Sequence, residues 1–296
     1  MELRDYQLKA AETDQVPGTE GDALIVPLLG MAGEAASLLV EYKKRIRDGE
    51  AHRLFREQIS EELGDLLWYV ANLASKFNLD LDDIATGNLR KTQRRWLAVG
   101  PGGPVATMPL LFDEGLEEAE QFPRAMIAEI GESPDGRGVA TASLVIDGKS
   151  VGNKLRDNAY EDDGYRFHDV LHLGNIALLG WSPTLRGLMH KKRRSDPTVD
   201  DVEDGGRAIV IDEGIAAFVF DYARRNNFLE GVSRVDYELL RTIGNLTQGF
   251  EVAVRSPAEW EHAILTSTAV WRDIRRRGGG RIRLDLRERE FVVLPD

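Results

Sequence analysis

Four acidic residues carry the first chemistry that can be read from this chain. Glu34 and Glu41 are seven residues apart, two helical turns, and so share nearly one face of a helix. Glu62 and Asp65 are three apart and also share a face. Apolar residues flank both pairs, Leu63 and Leu66 directly beside the second. Charge next to a core is costly unless it is paired or bound to metal. Carboxylates that converge from two facing helices form a hard-oxygen cage suited to Mg²⁺, with Mn²⁺ as the alternative. The competing reading is solvated helix surface. Bases nearby weigh against it: Lys43, Lys44, Arg45 and Arg47 follow the first acids, and Asn88, Lys91, Arg94 and Arg95 lie further on. Acids for a metal and bases for phosphate fit a triphosphate ligand.

These residues need helices to hold them. Phe55, Ile59, Leu63, Leu66, Val70, Leu73 and Phe77 recur in steps of three and four, which predicts a helix from about Leu54 to Phe77. An earlier helix carries Leu28, Met31, Ala35, Leu38, Leu39 and Tyr42, and Pro27 is expected to start or kink it. A third is expected from Leu81 to Trp96 behind an Asp80 N-cap, and a short one near Arg4 to Glu12. Short connections suggest a bundle.

Gly100-Pro101-Gly102-Gly103-Pro104 reads as a linker. The expected division is an all-α domain over 1–98, a linker over 99–108 and an α+β domain over 109–296. The chain is thus mainly α, with a small antiparallel sheet in the second domain. Arg124–Ile130 and Val139–Ile146 predict a hairpin, and the alternation at Ile282, Leu284 and Leu286 predicts a strand that Phe291–Leu294 can join. Helices are expected near Tyr165–Leu179, Arg207–Arg224, Asp236–Val254 and Ala258–Arg275.

Composition limits the functions. With 296 residues, two domains are expected. A net charge of −12 argues against a nucleic-acid coat. No Cys means no disulfide or thiolate metal site. No unbroken run of eighteen apolar residues occurs, so no transmembrane span is expected. A polar, acidic start lacks a signal-peptide core, and a cytoplasmic setting is expected.

The ordered set Gly30-Met31-Ala32-Gly33-Glu34, Tyr42-Lys43-Lys44, Glu61-Glu62-Leu63-Gly64-Asp65-Leu66-Leu67-Trp68-Tyr69 and Asn88-Leu89-Arg90-Lys91, opened by Asp5-Tyr6-Gln7 and Thr13, resembles the MazG-like nucleotide pyrophosphohydrolases. The resemblance covers about residues 3–96. It implies cleavage of a nucleoside triphosphate between the α and β phosphates, with Glu34, Glu62 and Asp65 as catalytic metal ligands. It also implies phosphate, sugar or base contacts from Lys44, Arg47, Asn88, Lys91 and Arg94, and base stacking or core packing by Trp68. The family's first metal helix usually carries Glu-x-x-Glu, but Ser37 stands at the second position. Glu41, one turn on, is expected to supply the missing carboxylate. Ligation by Ser37 or through water, and a degenerate nucleotide-sensing module, are the alternatives. A bundle this small predicts a homodimer or higher homo-oligomer.

The second domain resembles the C-terminal extension of some MazG-like proteins, for which no activity carries over. Its densest polar cluster is Tyr165-Arg166-Phe167-His168-Asp169-Val170-Leu171-His172. His168 and His172 are four apart on one helical face with Asp169 beside them, a spacing that binds divalent metal or belongs to ordinary hydrogen-bonded helix residues. Glu203, Asp204, Asp212 and Glu213 are possible further oxygen ligands. The run His190-Lys191-Lys192-Arg193-Arg194 reads as solvated surface, with a phosphate or RNA contact as the alternative.

Overall fold

The computed structural model describes residues 1–96 and 111–295, with side chains described to 93 in the first stretch. It divides into two compact units, 1–93 and 94–296. The Gly/Pro linker at 100–104 lies outside the described residues.

Four helices make the first unit: α1 (Leu3–Ala11), α2 (Asp22–Asp48), α3 (Phe55–Lys76) and α4 (Leu81–Trp96). Helix α2 already begins at Asp22, so Pro27 sits inside it rather than starting it. Asp80 caps α4 as expected, accepting from the amides of Asp82 (2.8 Å) and Asp83 (3.3 Å). Gln7 ties α1 to the turn after α3: its amide donates to the Leu79 carbonyl (2.8 Å) and its oxygen accepts from the Leu81 amide (2.8 Å). Lys76, buried in α3, donates to Asp14 (2.6 Å) and to the Val16 carbonyl (2.8 Å), pinning the loop that leads to α2. This lysine can be buried because its donors have partners.

The apolar seam is less covered than its periodicity predicts. Leu39 and Tyr42 on α2 and Leu63 and Phe77 on α3 are all more than half exposed in the single chain. The stretch Asp22–Ala51 is, by length and composition, long and apolar enough to cross a membrane, and 11% of its most apolar window, of mean hydropathy 1.9, is buried. Glu34 interrupts the apolar run yet leaves the window mean high, so length and composition alone do not separate this helix from a span.

The second unit is built on a five-stranded antiparallel sheet in the order β3-β2-β1-β4-β5, where β1 is Ala125–Pro134, β2 Ala140–Ile146, β3 Lys149–Leu155, β4 Gly279–Asp285 and β5 Glu290–Val293. The predicted hairpin is β1–β2, with Ile130 opposite Leu144, and the C-terminal strand pairs with the other edge of β1, Ala128 opposite Ile282. Met126, Ala128, Ile130, Leu144, Ile282 and Leu284 turn their side chains into one core.

Against this sheet lie α5 (Asp169–Leu179), α6 (Pro183–Leu188), α7 (Pro197–Val202), α8 (Gly206–Arg225), α9 (Tyr237–Thr247) and α10 (Pro257–Arg277). From Val170 to Leu179 every residue of α5 is buried. A helix apolar all round belongs in the centre of a fold, and α5 is packed by α10, α8 and the sheet. Gly174 permits the approach of α10, because a Cβ there would stand 1.8 Å from Ser267 Oγ. Helix α10 is started by a capping box, Ser256 with Glu259, and by Pro257 at its first turn. The sheet, α5, α8, α9 and α10 match the sequence pattern; β3, α6 and α7 were not anticipated.

Candidate functional sites

Two groups of side chains could do chemistry, one in each unit.

In the first, α2 packs along α3, and this brings Glu34 close enough to Glu62 to act on its carboxyl. Partial burial, the shared contact with Glu34, and the nearby charges of Asp65 and Glu41 hold the Glu62 carboxyl above the usual carboxylate range. Glu34 and Glu62 are half-buried, Asp65 is exposed, and the neighbouring Glu61 is exposed as expected for surface. Glu34, Glu62 and Asp65 offer hard carboxylate oxygens, and their crowding is of the kind a divalent cation relieves. Glu34, Glu62 and Asp65 do not come together as a triad within 4.8 Å; among the described residues the set that does is in the second unit.

Glu41 differs from the expectation. It is buried, and both oxygens are occupied: Oε1 accepts from Lys44 Nζ (2.5 Å) and Oε2 faces His52 Nε2 (3.0 Å). Lys44, and with it His52, keep its carboxyl below the usual range. Glu41 is therefore an anchor between α2 and the segment after it, and it presents no free oxygen beside the other acids. Lys44 is engaged by the same pair. Arg47 is paired with Asp48 (2.6 Å). Trp68 packs in the small cluster with Ala10, Ala71 and Leu81, and its indole N–H donates to Thr13 (2.8 Å). That location gives it a packing role instead of a base-stacking one. Asn88 and Lys91 are exposed on α4, and the Arg94 side chain lies outside the described residues.

In the second unit, His168 at the N-cap of α5 and His172 one turn on face Glu213 of α8. Nε2 of His172 stands 3.6 Å from Glu213 Oε2, and Nε2 of His168 stands 3.8 Å from it. Asp169 Oδ1 is 4.0 Å from His168 Nε2. The other imidazole nitrogens are held from behind. His172 Nδ1 donates to Asp212 Oδ1 (3.0 Å), and Asp212 Oδ2 in turn accepts from Ser182 Oγ (2.7 Å) and the Thr184 amide (3.1 Å). His168 Nδ1 donates to the Tyr165 carbonyl (2.9 Å), and its ring stacks on that of Tyr165 at 4.4 Å. Burial disfavours the His172 cation, but Asp212 and Glu213 outweigh this and push it up to about 10. Burial pushes the Asp169 carboxyl up.

The other acids go elsewhere. Asp204 is fully buried against Arg193, whose Nη2 donates to it at 2.7 Å, and Glu203 accepts from the Glu251 amide (3.1 Å). Neither is a ligand for the histidines. Arg193 also donates to Glu251 (2.9 Å) and the Phe112 carbonyl (3.2 Å) and is 1% exposed. The basic run is thus not uniformly solvated surface: its fourth residue is the centre of a buried ion network. Sequence spacing pointed to the histidine pair; it did not single out Glu213 and Asp212, which reach it from α8.

One chain thus joins a helical unit with opposed acids on two packed helices to an α+β unit. Residues 31–99 match the family described as MazG nucleotide pyrophosphohydrolase domain, and residues 107–296 match the MazG C-terminal domain. The gene 37 protein of Mycobacterium phage L5 is 35% identical over 102 residues, which is 32% of this chain and 89% of that protein. No solved structure matches. The chain belongs to the MazG family, and the family places its N-terminal domain among the nucleotide pyrophosphohydrolases.

Proposed function

We propose that the chain is a cytoplasmic, Mg²⁺-dependent hydrolase that converts nucleoside or deoxynucleoside triphosphates to the monophosphate and pyrophosphate, in nucleotide-pool control, a stress response or phage defence. The observation that carries this reading is the shared contact of Glu34 and Glu62 across α2 and α3, with Asp65 and Glu41 close enough to raise Glu62. Glu34, Glu62 and Asp65 would hold the metal. When bound, Mg²⁺ supplies neutralisation of charge on the phosphate oxygens. One carboxylate of this set would accept a proton from the attacking water.

The exposed apolar residues of α2 and α3 support self-association as a homodimer, since such a surface on one chain marks an interface. Light scattering at micromolar concentration tests this, and a fully active monomer would exclude it.

A second reading has one observation behind it. Glu41 is tied to Lys44 and His52 while Ser37 occupies the usual acidic position, which leaves one carboxylate fewer and favours a nucleotide sensor that regulates the second unit. One assay separates the two. The protein is incubated with each NTP and dNTP plus Mg²⁺, and pyrophosphate is measured. Pyrophosphate release supports the hydrolase. Tight binding of a nucleotide with no turnover supports the sensor, and orthophosphate release refutes both.

A further inference from the structure

We propose that His168 Nε2, His172 Nε2 and Glu213 Oε2 form a second divalent-metal site, in the C-terminal unit, independent of the acids in the N-terminal one. The first support is convergence. The three donor atoms lie within 4.8 Å of one another, on residues contributed by α5 and α8. A metal about 2.0–2.1 Å from each donor requires donors roughly 3–3.4 Å apart. The 3.6 and 3.8 Å separations from Glu213 exceed that range by a few tenths of an ångström, and the two Nε2 atoms lie within 4.8 Å of each other.

The second support is an orphan. His172 is fully buried, yet its Nε2 makes no hydrogen bond; what it faces is Glu213 Oε2 at 3.6 Å, an ion-pair distance longer than a hydrogen bond. Leaving a buried polar nitrogen unpaired costs free energy. In the middle of an apolar helix, leucine would fill the space without that cost. A metal ion supplies the missing partner.

The third support is the arrangement behind the rings. A backbone carbonyl and a carboxylate can only accept. Tyr165 O and Asp212 therefore hold a proton on both Nδ1 atoms, which turns both Nε2 atoms toward Glu213 and makes Nε2 the position where a metal would replace a proton. Outer partners of this kind orient histidines that bind metal. Asp212 is itself fixed by Ser182 and Thr184, so the orientation of His172 is set by three elements.

The donor set names the metal class. Two imidazoles and one carboxylate select Zn²⁺ or another first-row transition ion such as Fe²⁺ or Co²⁺ over Mg²⁺ and Ca²⁺. Three protein ligands leave at least one position open, which is the layout of a reactive site rather than a closed structural one. The open side is that of Glu213, whose side chain is 42% exposed, with Asp169 at its edge.

The test uses the full chain with Glu34→Gln and Glu62→Gln, so that the N-terminal acids do not compete. The protein is stripped with a chelator and titrated with Co²⁺ alone, followed by visible absorption and thermal unfolding. One Co²⁺ per chain is expected, with d–d bands of imidazole ligation and a raised midpoint of unfolding. Adding Glu213→Gln, a half-exposed position that the fold tolerates, should weaken binding at least about tenfold. His168→Gln should do the same. Failure to bind Co²⁺, or a Glu213→Gln protein that binds within tenfold of its parent, overturns the proposal. Neither result bears on pyrophosphate release by the native N-terminal unit.

Discussion

His172 Nδ1 and Asp212 Oδ1 are 3.0 Å apart, and both side chains are fully inaccessible to solvent. Two charged groups are costly to bury, and here each justifies the other. Asp212 has further obligations, to the Ser182 hydroxyl and the Thr184 amide at the start of α6. Asp212→Ala would strand an imidazole, a hydroxyl and an amide together. The expected cost is about 3–5 kcal/mol, the range for breaking a buried pair. Urea unfolding of the full chain, followed by a probe of the C-terminal transition, measures it. A loss below about 1 kcal/mol would mean that water replaces the carboxylate, and that His172 is not oriented by it.

Glu203 gives the fold a pH dependence of definite sign. Burial, aided by the neighbouring Glu251 and Asp204 charges and opposed by Arg193 and by the Glu251 amide, pushes its carboxyl up to about 7. The folded protein favours the protonated form relative to the unfolded chain. The stabilisation is complete below the ordinary glutamate value of 4.5 and is lost as pH rises to about 7. Glu203→Gln cannot ionise and should lack this loss. Unfolding midpoints of the two proteins measured from pH 4.5 to 8 should diverge, with the native protein falling relative to the variant. Parallel curves would show that Glu203 titrates normally.

Both units were legible in outline because the periodicities of α3, α5, α8 and α10 and the alternation of β4 are local properties of the chain. What covers a face is not local. The seam of α3 was expected to be buried, but Leu63 and Phe77 are 51% and 54% exposed among the described residues. The same limit applies to charge. Lys192, Arg193 and Arg194 read alike in sequence, and only Asp204 and Glu251, distant along the chain, decide that the middle one is buried. In the histidine site, the i, i+4 pair was visible from spacing, whereas Glu213 and Asp212 were two of four candidate oxygen ligands, with Glu203 and Asp204, that spacing alone does not tell apart. Glu41 had the right spacing for a ligand, and its capture by His52 depends on the turn after α2.

Arg193 is the sharpest case of that limit. It links Asp204, Glu251 and the Phe112 carbonyl while almost wholly buried. Arg193→Met should destabilise the C-terminal unit by about 3–5 kcal/mol, because buried Asp204 is left, among the described residues, with only Arg186, 3.6 Å away, as a charged partner, and Glu251 loses its own. Arg194→Met, one residue on and exposed, should stay within about 0.5 kcal/mol. Comparable losses at both positions by denaturant unfolding would refute the network as a stabilising element.

Glu62 should show opposite effects on activity and stability. Its raised pKa records repulsion by Glu34, Asp65 and Glu41 together with the cost of partial burial. Glutamine keeps the shape and can donate to Glu34 without adding charge. In metal-free buffer Glu62→Gln should therefore stabilise the N-terminal unit. The gain should grow as pH rises above the ordinary glutamate value, because that is where the native carboxylate becomes charged in the fold. The same change removes a metal oxygen, and pyrophosphate release should fall at least about 100-fold, beyond the usual effect of losing an outer partner. Glu61→Gln is the control, being adjacent but exposed, and both quantities should stay near native. Thermal unfolding without metal and a pyrophosphate assay with Mg²⁺ measure the pair. If Glu62→Gln is destabilised and active, the acids of α2 and α3 are a structural network and not a metal site.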